Sequence, residues 1–167
     1  MFGEINKKDN EFTIPKIIHF IWAGGNKLLP FDHIENIINW GEKNKGWKIL
    51  LWIDKNSYQG QIDIFLAYKD LFKKVSTVGI TFHQTLEETP SNNISIYILD
   101  ITEQEVVDEN IRYEIDKFSP NYGASSDLLR YKILYEYVGA YFDGDIIPGE
   151  TSLNEIDLVP KKTYSLC

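Results

Sequence analysis

Two aspartates one residue apart are the first candidates for chemistry in this sequence. They are Asp143 and Asp145, in the stretch GAYFDGDIIP at residues 139–148. If the apolar run before them is a strand, its alternation turns both side chains to one side, while Gly144 lets the backbone bend close to a ligand. Such paired oxygen donors suit Mg²⁺ or Mn²⁺, which take one or two carboxylates together with phosphate oxygens. The alternative is a solvated turn, in which aspartate is common.

A second pair of charges lies in the segment before these aspartates. Asp127 and Arg130, in SSDLLRYKILYEYVG at residues 125–139, are three positions apart and share a helical face with Leu134. We expect a charged pair at the start of an apolar stripe to be partly buried, where it could bind hydroxyls and phosphate through the forked guanidinium donors. A simple intrahelical salt bridge, contributing roughly a few tenths of a kcal/mol, explains the spacing equally well.

A tryptophan followed by glycines is the third candidate. Trp22 is part of FIWAGG, in which Ala23, Gly24 and Gly25 come directly after it. An indole placed beside such a backbone could stack on a flat base, an interaction typically worth about 1–3 kcal/mol. Packing in the hydrophobic core is the alternative.

The other tryptophans and the histidines are expected to be structural. We assign to the core Trp40, Trp47 and Trp52, which lie on predicted helices or strands. His19 lies inside an apolar strand, so we expect a buried histidine with satisfied hydrogen bonds and not a metal ligand. His33 and His83 have no partner at the spacing of a metal site.

The hydrophobic pattern predicts the elements that must position these residues. The predicted strands are 16–23, 47–54, 75–82 and 140–146, and ISIYILD at 94–100 could be another. The predicted helices are 31–44, 61–74, 102–118 and 125–139, the last of them ended by Gly139. The acidic helix is expected to start with Thr102 as a cap, with Glu105 three residues on, and to form a solvated face. This alternation predicts a mainly parallel α/β sheet with helices on its faces.

Composition limits the class of protein. The 167 residues are 43% hydrophobic and 14% aromatic, which suits a single domain over residues 1–167 with its own core. A net charge of −8, from 25 acidic and 17 basic residues, argues against nucleic-acid binding. The single cysteine, Cys167, excludes an intrachain disulfide. We see neither a signal peptide of the usual kind nor a transmembrane stretch of about 20 apolar residues, and therefore expect a soluble protein.

The three motifs, taken together and in order, resemble those of sugar-nucleotide glycosyltransferases with a DXD motif. The resemblance rests on IPKIIHFIWAGG and SSDLLRYKILYEYVGAYFDGDIIPG and covers about residues 14–150. The glycosyltransferase domains of the large clostridial cytotoxins and related bacterial effectors are the most similar, and yeast-type initiating mannosyltransferases share the motif region. The resemblance implies the GT-A fold, which is Rossmann-like, and a UDP-sugar donor.

The resemblance also implies how the nucleotide is held. Trp22 would stack on the uracil, and the backbone near Ala23 and Gly24 would help to bind the nucleotide. Tyr141 would line the donor pocket.

For the charged residues, the resemblance implies contacts to the sugar, the diphosphate and a cation. Asp127 and Arg130 would bind sugar hydroxyls, with Arg130 also near the diphosphate. Asp143 would contact the ribose, or the metal through water, and Asp145 would ligate Mn²⁺ (or Mg²⁺) directly.

The implied enzyme is a retaining glycosyltransferase that moves a sugar from a UDP-sugar to an acceptor hydroxyl, on a host protein or, as second choice, on a glycan. It would be secreted or delivered into a host cell as part of a larger toxin or effector.

The family closes its site with a C-terminal segment that carries a further metal ligand and a tryptophan. This sequence stops about twenty residues after Asp145, so we expect the N-terminal portion of a GT-A fold. The family's N-terminal helical bundle, which is implicated in membrane attachment, would precede the first strand. This sequence starts almost at that strand, so we do not carry membrane attachment over to it.

Three other functions remain open. An inactive or regulatory sugar-nucleotide-binding module is expected if the closing elements are absent from the native protein. A structural α/β domain with a decorative Asp-Gly-Asp turn would show no metal-dependent ligand affinity. A phosphatase or nucleotidyltransferase with paired aspartates would need a third acidic residue on a neighbouring strand, which we do not identify.

Overall fold

The computed structural model describes residues 14–58, 63–117 and 121–155. Within these ranges the chain forms a five-stranded, all-parallel sheet with helices on both faces, as the sequence predicts. The strands are β1 Ile17–Trp22, β2 Lys48–Ile53, β3 Ile80–His83, β4 Ile94–Asp100 and β5 Ala140–Tyr141. The α-helices are α1 Phe31–Lys43, α2 Ile64–Val75, α3 Glu109–Asp116 and α4 Tyr122–Tyr137. None of the described helices is long and apolar enough to cross a membrane.

The strand order is β3-β4-β2-β1-β5, so β1 is an inner strand with β2 on one side and β5 on the other. On one side β1 pairs with β2, with Trp22 opposite Ile53. On the other side it pairs with β5, with His19 opposite Tyr141. In open parallel sheets, ligands bind beyond the carboxyl ends of the strands at the point where the order reverses. This places the expected site beyond β1 and β5, where Trp22 and the two aspartates lie.

Both faces of the sheet are buried, which explains why β1, β2 and β4 are nearly continuous apolar runs. Alternate residues of β2 face opposite layers: Ile49 and Leu51 join the cluster that includes α1 and α2. Leu50 and Trp52 join the cluster that includes α3 and α4. The assignment of the three tryptophans to the core is confirmed, because Trp40, Trp47 and Trp52 are buried.

The predicted acidic helix over 102–118 is wrong in its first half. Glu105 has a left-handed φ of 57°, which an α-helix cannot contain. The helix starts instead after Asp108, whose carboxylate accepts from the Ile111 N–H at 2.9 Å. Thr102 is not a cap, and its hydroxyl accepts from Arg112 at 2.8 Å. The solvated-face expectation is also incomplete, because the helix buries Ile111 and Ile115.

The other predicted elements differ from the observed ones mostly at their ends. Helix α2 continues to Val75, so β3 starts later than predicted, at Ile80. The predicted start of α2 at residues 61 and 62 lies outside the described residues, and the observed helix is capped by Asp63. Helix α4 starts three residues early because the Asn121 side chain accepts from the Ala124 N–H at 2.9 Å.

The predicted strand over 140–146 is the more consequential error. Pairing with β1 ends at Tyr141, and the Ile146 N–H donates to the Asp143 carbonyl at 3.0 Å. Residues 143–146 therefore form a turn. The two carboxylates are placed by turn geometry, and the argument from strand alternation does not apply to them.

Candidate active site

The junction between α4 and β5 is held by His19 from the middle of β1. Trp52 donates its indole N–H to Nδ1 of His19 at 3.0 Å. The proton of the neutral imidazole therefore lies on Nε2, which donates to the Val138 carbonyl at 2.6 Å. Burial lowers the pKa of His19 to about 4, against a smaller opposing effect of the Val138 hydrogen bond. The expectation of a buried, satisfied core histidine is confirmed.

A cleft of about 620 Å³ lies beyond the carboxyl end of β1. Of the residues predicted to bind the sugar nucleotide, Trp22, Ala23 and Gly24 line it, together with Tyr122 and Ser126 from the start of α4. The lining of this cleft does not include the other predicted residues, namely Asp127, Arg130, Tyr141 and Asp143. Gly24 has a φ of 97°, and a Cβ there would lie 2.1 Å from Cδ1 of Tyr122. Only glycine fits, because the backbone must adopt a left-handed conformation in contact with the tyrosine ring.

The loop after β1 is fixed by hydrogen bonds to one carbonyl. The Lys27 carbonyl accepts from the Trp22 indole N–H at 2.8 Å and from the Tyr58 hydroxyl at 3.0 Å. Because the Tyr58 proton is used there, Tyr68 is the donor in the 3.0 Å contact between the two hydroxyls. Burial is the largest cause that raises the pKa of both tyrosines, so both remain donors. The orientation of Trp22 is thereby set before any ligand binds.

Three of the four charged candidates, Asp127, Arg130 and Asp143, are joined through Tyr141 in a series of contacts. Asp127 accepts from Arg130 at 2.9 Å on the same helix. The Arg130 guanidinium lies 5.4 Å from the centre of the Tyr141 ring, a cation–π distance. The Tyr141 hydroxyl donates to Asp143 Oδ1 at 2.8 Å. The expected partial burial applies only to Arg130, whose side chain is 30% exposed, whereas that of Asp127 is 62% exposed.

Tyr141 is the link between the helix and the acidic turn. Burial, followed by the hydrogen bond and the charge of Asp143, raises the pKa of its hydroxyl well above the ordinary value. Tyr141 therefore stays protonated at neutral pH and can act as a fixed donor to Asp143. It orients one carboxylate of the pair without neutralising it.

The turn itself rests on α1. The imidazole of His33 lies against Gly144, so that a Cβ at 144 would be 2.8 Å from Nδ1. Asn36 donates to the Gly144 carbonyl at 3.0 Å, and Trp40 donates to the Ile146 carbonyl at 2.9 Å. His33 also meets Trp22 edge to face, with ring centres 5.8 Å apart. His33, Asn36 and Tyr122 are site residues that the motifs do not identify.

The two aspartates offer a limited set of metal ligands. Both are exposed, and no group of three or more His, Cys, Asp or Glu side chains within the described ranges could hold a metal ion. Mg²⁺ and similar cations are often bound by one or two carboxylates plus substrate phosphates and water. Asp143 and Asp145 therefore fit a hard cation that arrives with a diphosphate.

A family model described as "glycosyltransferase sugar-binding region containing DXD motif" matches residues 30–163. The chain belongs to this family. The match includes α1, the charged face of α4 and the Asp-Gly-Asp turn, which is the DXD motif of this chain. The predicted family membership is therefore confirmed.

Two similar proteins extend this finding. "Subversion of eukaryotic traffic protein A" of Legionella pneumophila subsp. pneumophila (strain Philadelphia 1) is 36% identical over 138 residues, which are 82% of this chain and 18% of that protein. The solved structure "PaToxG Glycosyltransferase" matches with a TM-score of 0.55 at 22% identity, over 87% of this chain and 48% of that one. This match confirms the glycosyltransferase fold. The chain thus spans less than a fifth of the first relative and about half of the second.

Proposed function

We propose that this DXD glycosyltransferase chain binds a UDP-sugar with Mn²⁺ or Mg²⁺ and takes part in retaining transfer of the sugar to an acceptor hydroxyl. The observation that supports this most directly is the series of contacts from Asp127 through Arg130 and Tyr141 to Asp143. It starts on α4, the helix whose first residue, Tyr122, also lines the Trp22 cleft. A nucleotide-sized cleft and a pair of metal-compatible carboxylates thus share one edge of the sheet.

At the nucleotide end, Trp22 is proposed to stack on the uracil. The hydrogen bond from its indole N–H to the Lys27 carbonyl fixes the ring, which lowers the entropy lost when a base binds. The left-handed backbone at Gly24 lets the main chain near Ala23 approach the nucleotide closely. Tyr141 is proposed to line the pocket towards the sugar.

At the diphosphate end, we propose that the Arg130 guanidinium contacts phosphate and that Asp127 binds sugar hydroxyls. Asp145 would hold the metal directly, and Asp143 would contact it through water or bind the ribose. A bound divalent cation would neutralise charge that develops on the departing diphosphate. Arg130 would contribute to the same stabilisation through its fixed position between Asp127 and Tyr141.

The acceptor is proposed to be a hydroxyl of a host protein, with a glycan as the second choice. The support is indirect: the Legionella relative is described as subverting eukaryotic traffic. We accordingly propose that residues 1–167 act as a donor-binding unit of a longer effector or toxin that is delivered into host cells.

Donor binding is tested by calorimetric titration of UDP, UDP-glucose and UDP-N-acetylglucosamine, each with Mn²⁺ and with EDTA. We expect binding that requires Mn²⁺ and weakens at least tenfold in Asp145→Asn. Asp70→Asn is the control, because Asp70 is an exposed carboxylate on α2, remote in sequence from the turn. Equal binding with EDTA would contradict the metal role, and no binding of any nucleotide would contradict the proposed donor site.

Retention is tested separately by following the slow hydrolysis of UDP-α-glucose by proton NMR. The first-formed sugar is expected to be the α-anomer. If β-glucose forms first, the enzyme inverts, and a direct displacement by water takes the place of the proposed retaining step.

A further inference from the structure

One face of helix α1 supports the Asp-Gly-Asp turn from below. His33, Asn36 and Trp40 are spaced three and four residues apart and therefore share this face. The ring of His33 lies against Gly144, and Asn36 donates to the Gly144 carbonyl at 3.0 Å. Trp40 donates to the Ile146 carbonyl at 2.9 Å. Two of the carbonyls in and after the turn are thus bound by side chains more than a hundred positions away in the sequence.

Trp40 also holds the residue that enters the turn. Its indole ring is stacked on Phe142, with ring centres 4.0 Å apart and planes 20° apart. The backbone is therefore fixed immediately before Asp143 and immediately after Asp145, while both carboxylates stay exposed. Ordering the backbone costs conformational entropy, and these contacts meet part of that cost during folding and not when a ligand binds.

Asn36 is a polar residue, so its contact with the turn is not explained by packing of the hydrophobic core. The core-facing positions around it are apolar, namely Ile34, Ile37 and Ile38. Asn36 is only partly buried and directs its amide to one carbonyl of the turn. An amide at this position adds little hydrophobic stabilisation, whereas a donor aimed at the Gly144 carbonyl restricts the turn that carries the carboxylates.

We infer that Asn36 and Trp40 are positioning residues for the Asp-Gly-Asp carboxylates: they hold the turn in the conformation in which Asp143 and Asp145 bind the cation that accompanies a diphosphate. This inference rests on the proposed function. Within the described residues, no group of three or more His, Cys, Asp or Glu side chains could hold this cation. Its binding by Asp143 and Asp145 therefore depends strongly on the prior placement of these two carboxylates. Loss of outer partners of metal ligands typically weakens metal binding about 10- to 100-fold.

The chain offers a matched control further along the same segment. Trp47 donates its indole N–H to Oδ1 of Asn154 at 2.8 Å. This is again a contact between a tryptophan and the segment after the turn, but it lies nine residues beyond Asp145. Asn154→Ala removes a hydrogen bond of the same kind while leaving the turn contacts in place.

The experiment compares wild type with Asn36→Ala, Trp40→Phe and Asn154→Ala. Trp40→Phe keeps a ring to stack on Phe142 but removes the N–H donor to the Ile146 carbonyl. Mn²⁺ binding in the presence of saturating UDP is measured by calorimetry. The ¹⁵N amide resonances of Gly144 and Asp145 are recorded without metal or nucleotide, and Tm is measured for each variant.

We expect Asn36→Ala and Trp40→Phe to weaken Mn²⁺ binding about tenfold or more and to shift the two turn amides. Asn154→Ala is expected to leave both unchanged, whatever it does to Tm. Unchanged amides and unchanged Mn²⁺ affinity in the two α1 variants would overturn the inference while the proposed function stands. An equal loss in Asn154→Ala would overturn it too, because general loosening would then explain the effect. Failure of wild type to bind Mn²⁺ with UDP would overturn both.

Discussion

A Cβ on Gly144 would lie 2.8 Å from Nδ1 of His33. This imidazole also forms an edge-to-face pair with Trp22, with 5.8 Å between ring centres. His33 therefore lies between the proposed base-stacking residue and the middle of the DXD motif. Gly144 is not at positive φ, so the glycine is needed here for space and not for backbone conformation.

This contact predicts that Gly144→Ala weakens metal-dependent UDP binding about tenfold, because the added methyl group must displace His33 or the turn. Overpacking of this kind typically costs about 1–3 kcal/mol. His33→Ala in the same chain removes the obstacle, so the double variant should bind better than Gly144→Ala alone. The measurement is a double-mutant cycle by calorimetry.

Gly149→Ala serves as the control for that cycle, since a Cβ there would have no described atom within 4 Å. It should bind like wild type. Strictly additive effects of Gly144→Ala and His33→Ala would show that the two residues do not interact in solution, and the spatial argument for glycine would fail.

Tyr141→Phe tests the hydrogen bond that orients Asp143. The variant keeps the ring beside Arg130 but loses the 2.8 Å contact to Oδ1. Hydrogen bonds to charged groups contribute about 1.5–3 kcal/mol, and exposure of Asp143 favours the lower end. We expect Mn²⁺–UDP affinity to fall about tenfold. Tyr135→Phe, which removes a hydroxyl from an 88% exposed residue, should leave the affinity unchanged. An unaltered affinity in Tyr141→Phe would mean that Asp143 needs no such partner.

His19 predicts a pH dependence of stability. Its pKa is about 4 in the folded protein against an ordinary value of 6.5, chiefly because of burial. Between these values the unfolded chain binds a proton that the folded chain does not, so stability falls as the pH is lowered from about 6.5 to 4. The full effect is about 3 kcal/mol. Urea unfolding at pH 7, 6, 5 and 4 measures it.

His19→Gln is the matched variant for this titration. Its amide can still accept from Trp52 and donate to the Val138 carbonyl, but it does not titrate. Carboxylates contribute equally to both curves, so wild type should lose stability more steeply than His19→Gln below pH 6.5. Parallel curves would show that His19 is protonated in the folded state at little cost.

The order of strands and helices could be predicted because strands that are buried on both faces are apolar along nearly their whole length. Strands β1, β2 and β4 are apolar runs of six or seven residues, and the helices between them have one apolar face. The errors occur where local backbone conformation decides the outcome. Glu105 takes a left-handed φ that composition does not reveal, and the short β5 gives way to a turn that an alternating pattern cannot distinguish from a strand.

The candidate site could be predicted only where a motif carries it. The two aspartates, Arg130 and Trp22 were identified as candidates by residue type and spacing, and the structure places them at one edge of the sheet. Their support from α1 was not, since Asn36 and Gly144 are 108 positions apart and their contact depends on packing. Residue type does not mark Asn36 either, because it is one of several polar residues on that amphipathic helix, among them Glu35 and Asn39.

Val138 is expected to store backbone strain at the junction between α4 and β5. It has φ 58° and ψ −150°, a region that suits glycine and costs a β-branched residue of order 1–3 kcal/mol. The residue is 40% exposed, so Val138→Gly also loses the burial of the rest of its side chain. That loss, and the entropy that glycine adds to the unfolded chain, roughly 0.4–1 kcal/mol, apply equally to a valine of the same exposure without the strain. Relative to such a control, we predict that Val138→Gly keeps about 1–3 kcal/mol more free energy of unfolding.

Val78→Gly is the comparison, since Val78 is 39% exposed but is not among the residues at positive φ. It should be destabilised, and a similar response of both valines in urea unfolding would contradict the strain. The Val138 carbonyl is the group that His19 holds, three residues before Tyr141. Val138→Gly could gain stability relative to Val78→Gly and yet lose Mn²⁺–UDP affinity. That result would mean that the strained backbone at Val138 serves to place Tyr141 and the turn, because relieving the strain had allowed the junction between α4 and β5 to move.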